Sequence, residues 1–445
     1  MPGRPPAATV DGMTRSLTDY ADDVWNGDAD DNIAAIGSGG SGVLDVADGV
    51  GFHPGFGNVI TFRAGGELVL FDSGNPMGAP ALHDAVRKWS PDPVSTVVFS
   101  HGHIDHVFGV GPFDAEDTPR PTVVAQELIG DRFDRYVLTN GYNAVINQRQ
   151  FQAPNLTWPT EYRRPDVTYR DAMTLTRGGL TMELFHVQGE TDDATVGWLP
   201  EQRILLPGDM FIWVTPNCGN PQKVQRYPRE WAIAMRRMAA LGAETMLPSH
   251  GAPIFGADRI RQALTETAEW LESLVEQTLD GMNAGARLDE LVHAVKPPEH
   301  LADRPYLRAR YDEPEFIVRN LWRRYAGWYD GNPANLKPAP DRQLAAAVAE
   351  LAGGSTALAD VARRYADAGE LRLAAHFAEL AVQADDSDTT AHAARAEVFD
   401  ARAKAEESLM ARGIFTWAAA ESRKVTDGTG PTAGPAARLL APKQD

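Results

Sequence analysis

The chain has 445 residues, with 42 lysines and arginines against 61 aspartates and glutamates, a formal net charge of −19. That length allows two domains with ample core, and the acidic balance without a basic block argues against nucleic-acid binding and against docking on anionic lipid. The single Cys218 excludes an internal disulfide and fits a reducing compartment; no apolar run follows a basic start or reaches bilayer-spanning length, so no signal peptide is expected and the cytoplasm is the expected location.

Residues 1–35 read as an N-terminal arm, with a helix around Leu17 to Trp25, that wraps a partner subunit or frays. Strands are expected at Val43–Val46 and Asn58–Arg63, then, after the Ala64-Gly65-Gly66-Glu67 turn, at Leu68–Phe71, ending in Asp72-Ser73-Gly74. Ala79 to Lys88 has the pattern of a short amphipathic helix, and Val94–Phe99 that of a buried strand. This strand delivers Ser100-His101-Gly102-His103-Ile104-Asp105-His106, which holds three of the chain's 11 histidines.

Few uses other than metal binding call for three imidazoles and a carboxylate in so short a loop. His101 and His103 stand two positions apart and face the same way in extended backbone, while Asp105 and His106 follow a turn and address a neighbouring ion. The lack of thiolates argues against a closed structural zinc site, and nitrogen and oxygen ligands favour zinc, iron or manganese with a position open to water.

Thr122–Ala125 is the next expected strand, and Arg132 to Gln150 reads as a helical insertion over the site. Val167–Thr176 and Leu180–Val187 read as two strands. Three later segments each deliver a ligand at a strand end: Glu190 after His186-Val187, Asp209 in Pro207-Gly208-Asp209, and His250 in Pro248-Ser249-His250-Gly251. A sandwich of two sheets flanked by helices, αββα, assembles a site at one edge in this way. His101, His103 and Glu190 then bind one ion, Asp105, His106 and His250 a second, and Asp209 bridges, with Asp105 and Asp209 as the catalytic carboxylates. Asp192 and Asp193 compete with Glu190 for its place, and His186 reads as a support. Two ions about 3.5 to 4 Å apart share a hydroxide nucleophile.

From Asp258 the chain turns to long helices: Arg259 to Asp280, Leu288 to Val295, Glu315 to Tyr325, then an Ala-rich set at Gln343–Leu351, Ser355–Ala368, Leu371–Ala384 and Thr389–Ala411. Ala374, Ala378 and Ala381 share one face, and with Ala362 they permit close helix packing. The expected organisation is an arm (1–35), a catalytic domain (36–257), a helical connection (258–340), an all-α domain (341–424) and a flexible tail (425–445).

The glutamate at 190, Tyr311-Asp312-Glu313-Pro314-Glu315-Phe316, Arg319–Arg323 and Gly327-Trp328-Tyr329-Asp330-Gly331-Asn332-Pro333 together resemble the zinc-dependent alkylsulfatases of the metallo-beta-lactamase superfamily. The helices after Gln343 resemble that family's dimerisation domain. The resemblance implies hydrolysis of alkyl sulfate esters at two Zn2+ ions, with iron or manganese as alternatives, in a homodimer joined through the C-terminal helices. Another ester, a lactone, a thioester or a phosphodiester is the alternative substrate on the same ligands. Departures from the family pattern are Asp209 in place of a second glutamate, Pro216 in place of a histidine before Asn217, and the absence after residue 424 of the sterol-carrier-like domain with which such proteins usually continue. An anionic ester needs local positive charge, which Asn217, Lys223 and Arg226 on the loop after Asp209 are expected to supplement as substrate contacts. Phe211 and Trp213 either line an apolar slot for the alkyl chain or belong to the core.

Overall fold

The computed structural model describes residues 8–10, 13–28, 42–435 and 437. A hairpin of β1 (Ala8–Val10) and β2 (Met13–Arg15) leads into α1 (Leu17–Asn26), whose start is capped by the Ser16 hydroxyl accepting from Asp19 N at 3.0 Å. Instead of fraying as an arm, α1 buries Leu17, Tyr20, Ala21 and Val24 in the protein's own core, and Trp25 stacks on Tyr306 at 5.7 Å between ring centroids. Residues 1–7, 11–12 and 29–35 of the expected arm lie outside the described residues, as do residues 36–41.

Seven strands form the first sheet in chain order: β3 (Leu44–Ala47), β4 (Val50–His53), β5 (Val59–Ala64), β6 (Glu67–Phe71), β7 (Val94–Val98), β8 (Thr122–Gln126) and β9 (Val167–Tyr169). The pairing is antiparallel up to β6, where the Gly65-Gly66 turn has φ of 62° and 91°, and parallel from β6 to β9. Parallel neighbours need crossovers. These are α2 (Ala79–Trp89), the histidine loop with α3 (Gly111–Asp114), and an insertion of α4 (Ile129–Leu138) and α5 (Asn140–Phe151). The second sheet orders β10 (Ala172–Arg177), β11 (Leu180–Val187), β12 (Ala194–Leu199), β13 (Ile204–Leu206), β14 (Thr245–Met246) and β15 (Ile254–Phe255), with α6 (Pro228–Ala239) crossing between the parallel β13 and β14. The expected strand 167–176 is therefore two strands in different sheets, β9 and β10.

Alternation along the first sheet divides the core. Leu68, Leu70, Val97, Phe99 and Val123 pack outward with Leu82 and Val86 of α2 and with Ile129 and Phe133 of α4. Val69, Phe71, Val98 and Val124 face the other way, joining Leu184, Val196 and Leu206 of the second sheet. That core continues into Trp231 and Met235 of α6 and Ile260, Leu264 and Leu271 of α7 (Ala257–Asn283), giving the αββα sandwich.

Beyond the sandwich come α8 (Leu288–Ala294), α9 (Pro314–Ala326), α10 (Pro333–Leu336), α11 (Asp341–Ala352), α12 (Ser355–Asp367), α13 (Leu371–Ala384), α14 (Thr389–Ala405) and α15 (Leu409–Thr426). Ala362, Ala374 and Ala378 are fully buried in one cluster with Val398 and Ala419, while Ala381 joins Leu358 and Ala391 in a second. The expected helix from Thr389 to Ala411 breaks after Ala405. Ser408 starts a new helix, accepting from Ala411 N at 3.3 Å while its hydroxyl donates to the Tyr311 carbonyl at 2.7 Å. That helix, α15, then runs through Val425 to Thr426, where a flexible tail was expected. Gly413 lets α15 touch α5: a Cβ there would stand 2.2 Å from the Gln150 carbonyl oxygen. No single helix among the described residues is long and apolar enough to cross a membrane.

Candidate metal centre

The histidine loop leaves the carboxyl end of β7 beside the end of β6, where Asp72 is wholly buried with φ of 63°. One Asp72 oxygen accepts from Ser100 N at 2.7 Å. The other accepts from the hydroxyls of Ser100 and Ser249, each at 2.8 Å, and stands 3.0 Å from His106 Nδ1. The Ser100 hydroxyl, donating to Asp72, is left to accept from His101 Nδ1 at 3.0 Å. These bonds place the ring protons of His101 and His106 on Nδ1 and turn both Nε2 lone pairs toward the site. Asn58 braces the His250 loop, its side-chain amide donating to the carbonyls of Pro248 at 3.0 Å and Gly251 at 2.9 Å.

His101, His103, Glu190 and Asp209 form one compact group, and Asp105, His106 and His250 a second. Asp209 reaches both: Oδ2 is 3.6 Å from His101 Nε2 and 3.3 Å from His250 Nε2, and Oδ1 is 3.5 Å from His106 Nε2. Asp105 Oδ2 lies 3.4 Å from Nε2 of both His106 and His250, and Glu190 Oε1 lies 3.8 Å from His103 Nδ1. All seven side chains proposed from sequence thus converge on one place.

Burial lowers the imidazolium affinity of His101, to about 4, with His106 adding to the drop, and holds His103 well below its usual range, helped by His101. Both rings are neutral and offer lone pairs. Burial also pushes Glu190 up, to about 7; Asp209 adds to that rise and Arg226 opposes it. At Asp105 and Asp209 burial is outweighed by the facing imidazoles, which hold both carboxyls well below the usual range. His106 Nε2 and Asp209 Oδ1 are buried without a hydrogen-bond partner. A ring nitrogen and a carboxylate oxygen left unpaired side by side are two ligand atoms that a divalent cation fits.

Asp192 and Asp193 do not compete with Glu190. Asp193 accepts from Gly102 N at 2.9 Å and from Arg132 Nε at 2.7 Å, and Asp192 takes the other end of the same guanidinium. His186 Nε2 meets the Asp192 carbonyl at 2.7 Å, away from the seven side chains.

The site opens into a cavity of about 610 Å³ whose lining includes Asn217, Lys223 and Arg226. Arg226 is buried, donating to Glu190 Oε1 and to the Asn217 carbonyl, and Asn217 donates to the same Glu190 oxygen at 2.5 Å. Lys223 Nζ donates to Asn147 of the insertion at 3.0 Å and sits 5.6 Å from the centre of the Trp158 ring. Its desolvation, with Arg226 nearby, lowers its ammonium affinity to about 7. Phe211 and Trp213 belong to the core, where the Trp213 indole N–H donates to the Ala252 carbonyl at 2.7 Å. Phe56, Tyr136, Phe151, Trp158 and Ile212 line the apolar wall in their place. Sequence reasoning missed Asp72, Asn58 and the cavity face of Tyr311, whose hydroxyl accepts from Gln150 at 2.7 Å. The Asp-Ser-Gly and Tyr-Asp-Glu motifs carried the only available signal.

Residues 53–250 match the metallo-beta-lactamase superfamily, and residues 287–425 match the alkyl sulfatase dimerisation family. A linear primary-alkylsulfatase from Pseudomonas sp. is 28% identical over 389 residues, covering 81% of this chain and 73% of that protein. An (R)-specific secondary-alkylsulfatase from Pseudomonas sp. and an alkyl/aryl-sulfatase from Saccharomyces cerevisiae are each 25% identical, over 74% and 75% of this chain but only 54% and 55% of their own lengths. The solved structure of the stereoselective inverting sec-alkylsulfatase Pisa1 from Pseudomonas sp. shares the fold, with a TM-score of 0.81 at 22% identity over 96% of this chain and 74% of that one.

Replacing Asp72 by Ala frees the tautomers of His101 and His106 together. Chelator-competition titration is expected to show metal affinity falling by about 10- to 100-fold, with Asp72→Asn between the two because it keeps an acceptor oxygen. Unchanged affinity in the alanine variant would show that the ligands orient themselves without it.

Proposed function

We propose that the chain, which matches the metallo-beta-lactamase superfamily over residues 53–250 and the alkyl sulfatase dimerisation family over residues 287–425, is a metal-dependent hydrolase of alkyl sulfate esters, yielding alcohol and sulfate. The observation that carries this reading is the lining of one cavity, which joins the ligand cluster and the cationic Lys223 and Arg226 to aromatic and aliphatic side chains such as Phe56, Phe151, Trp158 and Ile212. That polarity matches an amphiphile with an anionic head.

We assign two divalent ions, zinc foremost, to the site, with His101, His103 and Glu190 holding one, Asp105, His106 and His250 the other, and Asp209 bridging. Such a pair supplies Lewis acidity and a water activated near neutral pH. The chain's own residues do the rest. Arg226 and Asn217 clamp Glu190, fixing its oxygen toward the His101–His103 end. Asp105, beside His106 and His250, is positioned to accept a proton from the attacking water. Lys223 faces the cavity with an ammonium available to the sulfate oxygens, and the apolar wall excludes bulk water from the alkyl chain.

The dimerisation family match supports a homodimer joined through the C-terminal helices. Trp328, Leu336, Leu344 and Leu351 stand exposed along α9 to α11, Leu351 at 90%, an apolar band suited to a second copy of this chain. Light scattering is expected to return two copies for the unaltered chain and one for the Leu344→Glu, Leu351→Glu double variant; a dimer that survives both charges places the interface elsewhere.

The decisive experiment incubates the zinc-loaded chain with alkyl sulfates beside a lactone and a phosphodiester. Sulfate release that stops on metal removal, with the other two esters untouched, is the expected result; preferential cleavage of the lactone or phosphodiester would replace this function with theirs.

Lys223 gives the reaction a pH signature. A lysine whose affinity is lowered to about 7 carries charge below that pH and loses it above. kcat/KM for an anionic ester therefore falls as pH rises through about 7. Lys223→Met should abolish that alkaline limb, and Lys223→Arg, which stays charged, should move it beyond the measurable range; a limb persisting in both belongs to another group.

A further inference from the structure

After α15 the described chain turns back across α5. Gly434 N donates to the Gln152 carbonyl at 2.9 Å, and a Cβ at Gly434 would lie 2.8 Å from Gln152 Cβ, so the approach requires glycine. Ala437 N donates to the Gly434 carbonyl at 3.0 Å and closes a turn. Ala433 and Ala437 line the catalytic cavity. Thr432, Gly434 and Pro435 line a different cavity, of about 1160 Å³, which lies beside α15 and shares Phe56 and Tyr311 with the first. The strip thus stands between the two cavities, with Ala433 and Ala437 facing one and Thr432, Gly434 and Pro435 the other.

Asn147, which holds Lys223, and Phe151 stand about one helical turn apart on α5, and Gln152 anchors the strip just beyond Phe151. An alkyl chain whose head lies at Lys223 and which follows α5 past Phe151 runs into Ala433 and Ala437. We propose, on the premise that the substrate is an alkyl sulfate, that this strip is the wall that sets the accepted alkyl length. The larger cavity behind it is the space a longer chain enters when the wall is displaced. Two alanines make that wall shallow, and one backbone hydrogen bond with one glycine contact moors it, so both its depth and its position can be altered without touching a metal ligand.

Burial of each methylene is worth about a fourfold gain in kcat/KM until the chain meets the wall. Ala433→Phe brings the wall inward and should lower the ratio of kcat/KM for dodecyl over hexyl sulfate by about sixteenfold, the worth of two methylenes. Gly434→Leu drives a Cβ against Gln152, lifts the strip toward the larger cavity and should raise the same ratio. Calorimetric binding of dodecanesulfonate and hexanesulfonate, which carry no ester to cleave, reads the wall without turnover, and metal content with far-ultraviolet circular dichroism checks that each variant is folded. Opposite shifts of the two variants in both series are the expected outcome. Folded, metal-loaded variants that keep the unaltered ratio in the sulfonate series overturn the wall. Sulfonates that respond while no alkyl sulfate is cleaved by any variant overturn the alkylsulfatase premise and leave the wall standing.

Discussion

One buried carboxylate organises this molecule. Asp72 receives four polar contacts from residues that stand 28, 34 and 177 positions away in the chain, and each contact fixes a different part of the site. A carboxylate withdrawn from water is costly unless its oxygens are hydrogen-bonded, and here both are. Its left-handed backbone, uncommon for a residue with a side chain, is held by the same bonds. Because Ser100 relays the interaction to His101, while His106 is bonded directly, a single side chain decides which nitrogen two rings present to the metal. Gly109 enters by the same logic: a Cβ there would stand 1.7 Å from the Ser73 carbonyl oxygen, so only glycine lets the loop fold back against the end of β6.

Around that anchor the charge balance is deliberately incomplete. Asp105, Glu190 and Asp209 converge with four imidazoles, two of which burial keeps neutral. Arg226 offsets Glu190 on one side, and Arg132 is consumed by Asp192 and Asp193 on the other. Neither guanidinium answers Asp209 Oδ1, which is buried without a hydrogen-bond partner 3.5 Å from His106 Nε2. The arginines thus hold the ligand loops in register without competing for the place of the cation. In this acidic protein Lys223, which lines the cavity, is desolvated beside that centre.

Much of this was readable in the chain because the ligands sit in short motifs at strand ends. His101 to His106 are contiguous, and Glu190, Asp209 and His250 each follow an apolar run, so local pattern and three-dimensional position coincide. Asp72 and Asn58 also follow or open strands, but what they do depends on partners brought near only by the sheet order, and no periodicity records that. Helix boundaries failed for a similar reason. The alanine pattern runs unbroken through Ala405, yet the helix stops because Ser408 is held by the Tyr311 carbonyl from another part of the chain. The stretch 167–176 has strand-forming residues throughout and still divides between two sheets, a choice set by tertiary packing that overrides propensity. Phe211 and Trp213 were ambiguous in sequence because burial in a core and burial against a ligand demand the same residue type.

The helical domain enters the site by contact. Tyr311 accepts from Gln150 on the cavity side with its hydroxyl and from Ser408 at the start of α15 with its carbonyl, so one residue couples the insertion, the connecting segment and the last helix. Gln152 adds a second tie, donating to the Gly413 carbonyl at 2.6 Å while its own carbonyl accepts from Gly434. α5 is therefore held on one side by Lys223 near the metal ligands and on the other by α15. Displacing α15 would move Phe151, and with it the apolar wall, before it disturbed any ligand. The ligand cluster and the apolar wall are in consequence separable parts of this fold: the first is held within the sandwich around Asp72, the second where the sandwich meets the helices.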